Sequence, residues 1–407
     1  MKEHDVVIIG AGPAGVMAAI TPARNGRRVV LVEKNARIGR KLLSTGNGRC
    51  NLTNTDATVD RYHGATPAFV EAVISQFDQH ATMDFFRNLG LVLKEEDGGR
   101  VFPRTNQASS VVEILQQALA RAGVDVLLGS PVEGIERSAQ WKVSLADGKQ
   151  LEADDLIVAT GGRAAHHLGS TGDGLGWARR LGHSITPTYA ALVPIECVET
   201  WPDELKGVKV DARVWATSGG SVLSESAGDL LFTNYGVSGP AVMAQAGIIA
   251  PIVRESEVLL HVDLVPEMTE AALDRIIARI FENCGRLAAK DSLVGLLPSS
   301  MIPVILRLAG LGELVRAGSV SEPERSGLVR VLKDMTLTVS KLRPLKEAQV
   351  TVGGVNTEEI DAPSLRSKLL DRLYFAGEII DVDGDSGGFN LQWAWSSGHV
   401  AGMLMGG

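Results

Sequence analysis

Asp5-Val6-Val7-Ile8-Ile9-Gly10-Ala11-Gly12-Pro13-Ala14-Gly15-Val16-Met17-Ala18-Ala19-Ile20 decides the fold. Four successive apolar residues after Asp5 read as a short strand buried on both faces, as parallel sheets require. The Gly10-x-Gly12-x-x-Gly15 turn follows at once and opens an Ala-rich helix from about Pro13 to Asn25, which Gly26 ends. Arg28-Val29-Val30-Leu31-Val32-Glu33 is a second strand, so residues 5–33 form one βαβ unit. In that setting Gly10 permits the tight turn, Gly12 lets the backbone approach a pyrophosphate, and Gly15 lets helix and strand pack closely. The helix N-terminus offers free N–H groups and a partial positive charge to the anion. Glu33, ending the second strand, is placed to accept hydrogen bonds from ribose hydroxyls. A carboxylate there disfavours a 2′-phosphate, which points to FAD or NAD rather than NADP.

The tail separates FAD from NAD. Leu373-Tyr374-Phe375-Ala376 reads as a strand ending at Gly377-Glu378. A glycine loop, Gly384-Asp385-Ser386-Gly387-Gly388-Phe389-Asn390, leads into a helix from Leu391 to about Leu404. Flavoproteins bring a second chain segment to the cofactor in this way. The helix start at Asn390-Leu391 aims its dipole at the edge of the flavin that becomes negative on reduction. Thr160-Gly161-Gly162, ending the strand 155–160, is a third element of this kind. Trp393 and Trp395 read as packing residues.

Between these ends the style changes. Helices are expected over 66–90 and 107–122, and strands over 124–128 and 140–148. From Leu192-Val193-Pro194 onward the pattern is different. Residues 208–216 alternate apolar and polar side chains, as half-buried antiparallel strand does. Another strand is expected at 257–264, then helices over 269–289 and 321–335. The expected organisation is a Rossmann-like nucleotide domain from residues 1–192 and 341–407, interrupted by an insert at 193–340. Within the insert a β module (about 193–265) precedes a helical module (about 266–336).

The 407 residues suit two or three domains. The chain has 40 basic against 48 acidic side chains, a net charge of −8, which argues against a surface basic all over. One stretch runs the other way. Arg24, Arg27, Arg28, Lys34, Arg37, Arg40, Lys41 and Arg49 face a single acid, Glu33, and some of them are expected at phosphates. The cysteines, Cys50, Cys197 and Cys284, lie far apart. Neither a disulfide framework nor a cysteine metal cluster is expected, and a reducing cytoplasm fits. The apolar start at Val6–Ile20 lacks the positive flank of a signal peptide. No run reaches the roughly 20 apolar residues of a membrane span, so no membrane association is expected.

The most distinctive segment is Gly39-Arg40-Lys41-Leu42-Leu43-Ser44-Thr45-Gly46-Asn47-Gly48-Arg49-Cys50-Asn51-Leu52-Thr53-Asn54. It is too polar and glycine-rich for core, and loops of this kind on a rigid scaffold carry function. Arg40 and Lys41 are candidates for the pyrophosphate, and Gly46 and Gly48 for close approach to the isoalloxazine. This loop resembles the BaiN/RdsA family of FAD-dependent oxidoreductases, also known as aminoacetone-oxidase-like flavoproteins. The likeness recurs at Ser170–Gly174, Leu192–Pro194, Leu231–Ala241, Gly353–Val355 and Tyr374–Gly398. Phe389 stands where the family often has tyrosine.

The resemblance implies an α/β fold: a discontinuous Rossmann-like FAD domain with an inserted antiparallel β-barrel and helical domain. It implies FAD contacts at Ala14, Glu33, Lys41, Val132, Glu378 and Asn390. With the motifs above, the expected cofactor set is Gly10, Gly12, Ala14, Gly15, Glu33, Lys34, Arg40, Lys41, Thr45, Gly46, Asn51, Val132, Thr160, Gly161, Gly162, Gly377, Glu378, Gly388, Asn390 and Leu391. The implied reaction is NAD(P)H-linked reduction of an activated C=C bond, in an enone-type small molecule or, as dihydrouridine synthesis, in 23S ribosomal RNA. Amine oxidation and a flavin-bound interaction protein are the alternatives. No second glycine fingerprint follows another strand, so NAD(P)H is expected as a transient visitor. Candidates for the group that protonates or polarises the substrate are Cys50, Arg49, Asn51 and Tyr235. His166 and His167 read as surface or capping residues, and Asp173 as a turn residue.

Overall fold

The computed structural model describes residues 4–404. These divide into two compact units, one reaching to Tyr189 and resuming at Leu345, the other spanning Ala190–Pro344.

The first unit is built on a parallel sheet. Its strands run in the order Leu373–Phe375, Asp155–Val158, Val6–Ile9, Val29–Val32, Asp125–Leu127. Ile8 sits in register with Ile157 on one side and Leu31 on the other, and all three are fully buried. The strand 373–375 closes one edge, so a single sheet draws on both ends of the chain. Helix Pro13–Arg24 packs along the C-terminal helix Phe389–Gly402 through small residues. A Cβ on Gly398 would lie 2.3 Å from the Ala14 carbonyl oxygen, and one on Gly402 would lie 2.9 Å from that of Ala18. The pairings 14 with 398 and 18 with 402 make the helices parallel. The C-terminal helix starts nine residues before Gly398, so its N-terminus extends roughly 14 Å past Ala14 at 1.5 Å per residue.

The expected helix over 66–90 is two, Pro67–Ile74 and Gln79–Asn88, N-capped by Thr66 and Asp78. The break has a physical cause. The Phe77 carbonyl accepts from Gln392 Nε2 (3.0 Å) and Ser396 Oγ (2.6 Å) of the C-terminal helix, so it is spent outside its own helix.

The second unit contains a closed six-stranded barrel, in the order Ile195–Cys197, Gly236–Ser238, Ser221–Thr233, Lys209–Ser218, Leu259–Asp263, Met335–Leu342. Ala212, Val214 and Ala216 fill its interior, while Lys209–Asp229 and Arg213–Glu225 pair across strands outside. Val208 and Val210, expected with the inward set, are only partly covered. The last barrel strand follows helices Glu270–Asn283 and Glu322–Lys333, so these are an excursion within the barrel rather than an appendix to it.

Candidate functional site

The glycine turn separates two roles. Gly10 has a φ of +102°, and a Cβ there would sit 2.5 Å from the Ala159 carbonyl oxygen. A Cβ on Gly15 would lie 1.8 Å from the Gly10 oxygen. Both glycines are thus required by packing. Gly12 is not: its φ is −75°, and a Cβ there would meet nothing within 4 Å. The space above Gly12 is open, and the helix it starts has no side-chain cap and no acid in its first turn. Free N–H groups beside an open glycine fit a pyrophosphate.

Glu33 is buried at the end of the second strand. Its Oε2 accepts from Ala11 N (2.8 Å), and its Oε1 from Asn35 N (2.8 Å) and Asn35 Nδ2 (2.6 Å). The carboxylate therefore braces the glycine turn from below. Ser130 N donates to the Glu33 carbonyl, which holds Val132, at the start of a three-stranded antiparallel sheet, close to that end.

The basic stretch is largely neutralised by the protein itself. Arg27 pairs with Asp155 (2.5 Å), Arg28 with Asp5 (3.0 Å), Lys34 with Asp173 (2.7 Å), Lys41 with Glu378 (2.5 Å) and Arg49 with Glu96 (2.5 Å). Arg40 donates to Asn35 Oδ1 at 2.9 Å, and Arg24 lies over the Phe85 ring. Lys34 also donates to Thr171 Oγ1, so it clamps the Ser170–Gly174 turn to the end of the second strand. The partners of this stretch come from distant segments that the local sequence does not display.

Glu378 links three segments, because its second oxygen, Oε1, accepts from Thr351 N at 2.8 Å. Gly377, with a φ of +79°, faces Ala14: a Cβ there would lie 2.7 Å from the Ala14 Cβ. Its N–H donates to Ser397 Oγ (2.9 Å). Gly161 has a φ of +74°, and Gly162 approaches Thr351 Oγ1, which accepts from Arg163 N and Ala164 N. Thr160 Oγ1 is buried without a partner among the described residues.

In the 39–54 loop, Leu42–Gly48 is a 3₁₀ segment interrupted at Thr45–Asn47. Gly46, with a φ of +56°, brings the chain against Asn51 N, and Thr45 Oγ1 donates to Leu42 O (2.7 Å). Cys50 is fully buried with a φ of +62°. Burial pushes its thiol up to about 12, with a hydrogen bond to Thr45 opposing. That proton stays put through the physiological range. Trypsin digestion and mass mapping after mild alkylation are expected to find Cys50 unmodified in the native protein and modified after unfolding. Arg49 is held by Glu96, by Asn106 Oδ1 (2.9 Å) and over the Phe102 ring at 4.0 Å, which occupies its guanidinium structurally. Asn51 Oδ1 is buried and unpartnered among the described residues, beside Gly388.

Gly388, with a φ of +108°, precedes the C-terminal helix, which begins at Phe389, slightly before the expected start. Asn390 shapes the loop before it: it accepts from Gly384 N (2.9 Å) and donates to Gly384 O (2.6 Å) and Asp385 O (3.2 Å). Leu391 lies in the first turn, which carries no acid and no side-chain cap. Two uncapped helix N-termini therefore stand parallel and offset. This suits a dinucleotide whose flavin is a ribityl chain away from its pyrophosphate. Trp393 and Trp395 are buried and donate to Gly377 O and Leu52 O, as structural pins.

Tyr235 belongs to the barrel unit, where Arg343 lies over its ring at 4.7 Å. His166 and His167 are exposed on a short 3₁₀ turn. Asp173 starts a helix and is Lys34's partner rather than a bare turn residue. The sequence reading missed Thr351 and Ser397, whose hydroxyls hold the two glycine strand ends.

Comparison with known proteins now decides the family. The model described as "HI0933-like protein Rossmann domain" matches residues 4–404. This chain belongs to that family. It is 38% identical over 398 residues to the 3-dehydro-bile acid delta(4,6)-reductase of Clostridium scindens, covering 97% of each chain. It is 31% identical over 403 residues to the ribosomal RNA dihydrouridine synthase of Haemophilus influenzae, covering 98% of this chain and 97% of that one. Among solved structures, the 3-ketosteroid delta1-dehydrogenase of Sterolibacterium denitrificans superposes with a TM-score of 0.51 over 99% of both chains at 13% identity, a likeness of fold. The chain is an FAD-dependent oxidoreductase of the HI0933-like family, the BaiN/RdsA type expected from its 39–54 loop.

Proposed function

We propose that this chain uses NAD(P)H and bound FAD to reduce a C=C bond conjugated to a carbonyl in a small molecule. The observation that favours a small substrate is the internal pairing of the basic stretch. Five of its eight cations are bound to carboxylates of the same chain, which leaves little charge for a phosphate backbone. The relative with the highest identity reported above is named for C=C reduction in a bile acid.

FAD bound here would supply hydride-transfer chemistry, and the protein supplies position and electrostatics. Gly12, Ala14 and Gly15 present backbone N–H groups to the pyrophosphate over the open glycine. Glu33 takes the ribose hydroxyls, with the Val132 backbone beside the adenine. Lys41 and Glu378 hold the ribityl–phosphate region, supported by Thr351. Thr45, Gly46 and Asn51, with Thr160-Gly161-Gly162, would hold the ring. Gly388 opens the helix whose N–H groups at Asn390 and Leu391 meet the pyrimidine edge. Lys34 and Arg40 brace neighbouring loops rather than phosphates. Of the three donor candidates in the nucleotide-binding unit, Cys50 holds its proton too tightly and Arg49 is engaged, which leaves Asn51 to polarise the carbonyl. The working compartment is the cytoplasm; among the described residues no helix is long and apolar enough to cross a membrane.

Reoxidation of the anaerobically reduced protein by an enone panel, and by an rRNA fragment, tests this reading. Rapid reoxidation by an enone but not by RNA is expected. The ribosomal reading has its own support in the Haemophilus relative. Mass spectrometry of rRNA from a deletion strain decides it: unchanged dihydrouridine is expected here, and its loss transfers the function to RNA.

A further inference from the structure

Outside the contacts assigned above, one titratable cluster stands at the base of the glycine loop. Strand Asp383–Gly384 pairs antiparallel with Tyr62–His63, setting Asp383 opposite His63 and Gly384 opposite Tyr62. Along the chain this ladder lies between Glu378 and the first turn of the C-terminal helix, both cofactor-facing on the reading above. Asp383 is 6% exposed, and its Oδ1 is buried with no hydrogen-bond partner among the described residues. The hydroxyl of Tyr62, on the opposing strand, is likewise buried and unpartnered among the described residues.

The charges facing Asp383 come from three segments. His63 lies on the opposing strand, Asp381 and Asp385 on its own segment, and Glu378 at the preceding turn, where Lys41 neutralises it. His63 Nε2 is 2.9 Å from Asp385 Oδ1, and Arg61 reaches Asp385 at 3.6 Å. His63 is 40% exposed. His63 is thus the solvent-reaching group directly across the ladder from Asp383.

A buried carboxyl with an orphaned oxygen and three acidic neighbours favours its neutral form. Burial is the largest cause, and Asp383 is pushed up to about 7, with His63 opposing. The hydrogen bond to Asp385 raises His63 above its ordinary value. The cluster thus exchanges a proton near neutral pH. Any additional negative charge nearby increases its proton affinity.

We propose that Asp383, with His63 and Asp385 as its route to solvent, takes up a proton when the bound flavin is reduced and gives it back on reoxidation. This rests on the FAD reading above. Two electrons and one proton arrive together as hydride from NAD(P)H. An O–H bond forms at the Asp383 carboxylate with a proton relayed by His63, offsetting the new negative charge. When hydride leaves for the C=C carbon, that O–H bond breaks and the proton returns through His63. The substrate's second hydrogen comes from solvent, so a cycle consumes one NAD(P)H and one proton, and Asp383 ends as it began. Asp383 acts through the charge balance of the cofactor, not by touching substrate, and is a positioning residue in that sense.

The test is the pH dependence of the flavin midpoint potential in the FAD-bound protein, with infrared difference spectra of the reduced and oxidised states. Between pH 7 and 8, where Asp383 is at least half ionised before reduction, the wild type is expected to take up more protons per two electrons than Asp383→Asn, the excess approaching one toward pH 8. A deuterium-sensitive carboxyl band should appear on reduction and shift in Asp383→Glu. Identical pH dependence in wild type and Asp383→Asn overturns the proposal. So does the absence of a carboxyl band in the wild type, which decides the matter even where Asp383→Asn does not fold. Proton uptake in a yellow protein inert toward enones sinks the functional reading alone. Enone turnover without this uptake sinks the present one alone.

Discussion

Gly12→Val is expected to give a folded protein that has lost its FAD, whereas Gly15→Ala is expected to lose the fold. The contrast follows from the two Cβ positions. At Gly12 nothing lies within 4 Å of an added Cβ and the backbone is ordinary, so the Cβ meets no protein atom. It does fill the space over the uncapped helix start, displacing the pyrophosphate from its N–H donors. Loss of about two charge-assisted hydrogen bonds amounts to roughly 3 kcal/mol, or about 100-fold in Kd. At Gly15 even a methyl would lie 1.8 Å from the Gly10 oxygen, in a turn whose partner glycine has a φ of +102°. Helix and strand must separate, at a cost above the ~1–3 kcal/mol of ordinary overpacking. Circular dichroism melting with FAD titration separates the outcomes. A Gly12→Val protein that binds FAD normally removes the pyrophosphate from this turn.

Glu33→Ala carries the second large effect, on stability and affinity together. Its carboxylate accepts from Ala11 N, Asn35 N and Asn35 Nδ2 and is buried. Removing it strands the Ala11 N–H, at a cost of roughly 1–3 kcal/mol. It also deletes the acceptor proposed for the ribose hydroxyls, for a further expected loss of about tenfold or more in FAD affinity. Glu33→Gln keeps the shape and one carbonyl oxygen, so it should retain more stability than affinity. Chemical denaturation and FAD binding measured on both variants check this. An Ala variant with wild-type affinity excludes Glu33 as the ribose acceptor.

The parts legible in the sequence are those set by short-range geometry. Gly10, Gly12 and Gly15 announce a turn because each spacing answers a local steric demand, and Val6–Ile9 announces a doubly buried strand by its unbroken apolar run. The split nucleotide domain was legible because Leu373–Phe375 repeats the strand-then-glycine pattern of the first strand. What escaped depends on partners far away in sequence. Lys41 reads as a free cation until Glu378, 337 positions on, arrives beside it. The break between the helices at 74 and 79 is marked locally only by the Asp78 cap; Gln392 and Ser396, far along the chain, claim the Phe77 carbonyl there. The last barrel strand, Met335–Leu342, was not expected, because the helix read over 321–335 ran into its first residue. In the site, Asp381-x-Asp383-x-Asp385 alternates visibly, but only the ladder with Tyr62–His63 shows why the middle carboxyl matters.

The most direct test of the central claim is the visible spectrum of the purified protein, followed by anaerobic addition of NADH and NADPH. A yellow protein with one FAD per chain, bleached by at least one of the two, is the expected result. A colourless protein that takes up no added FAD contradicts the assignment at its root.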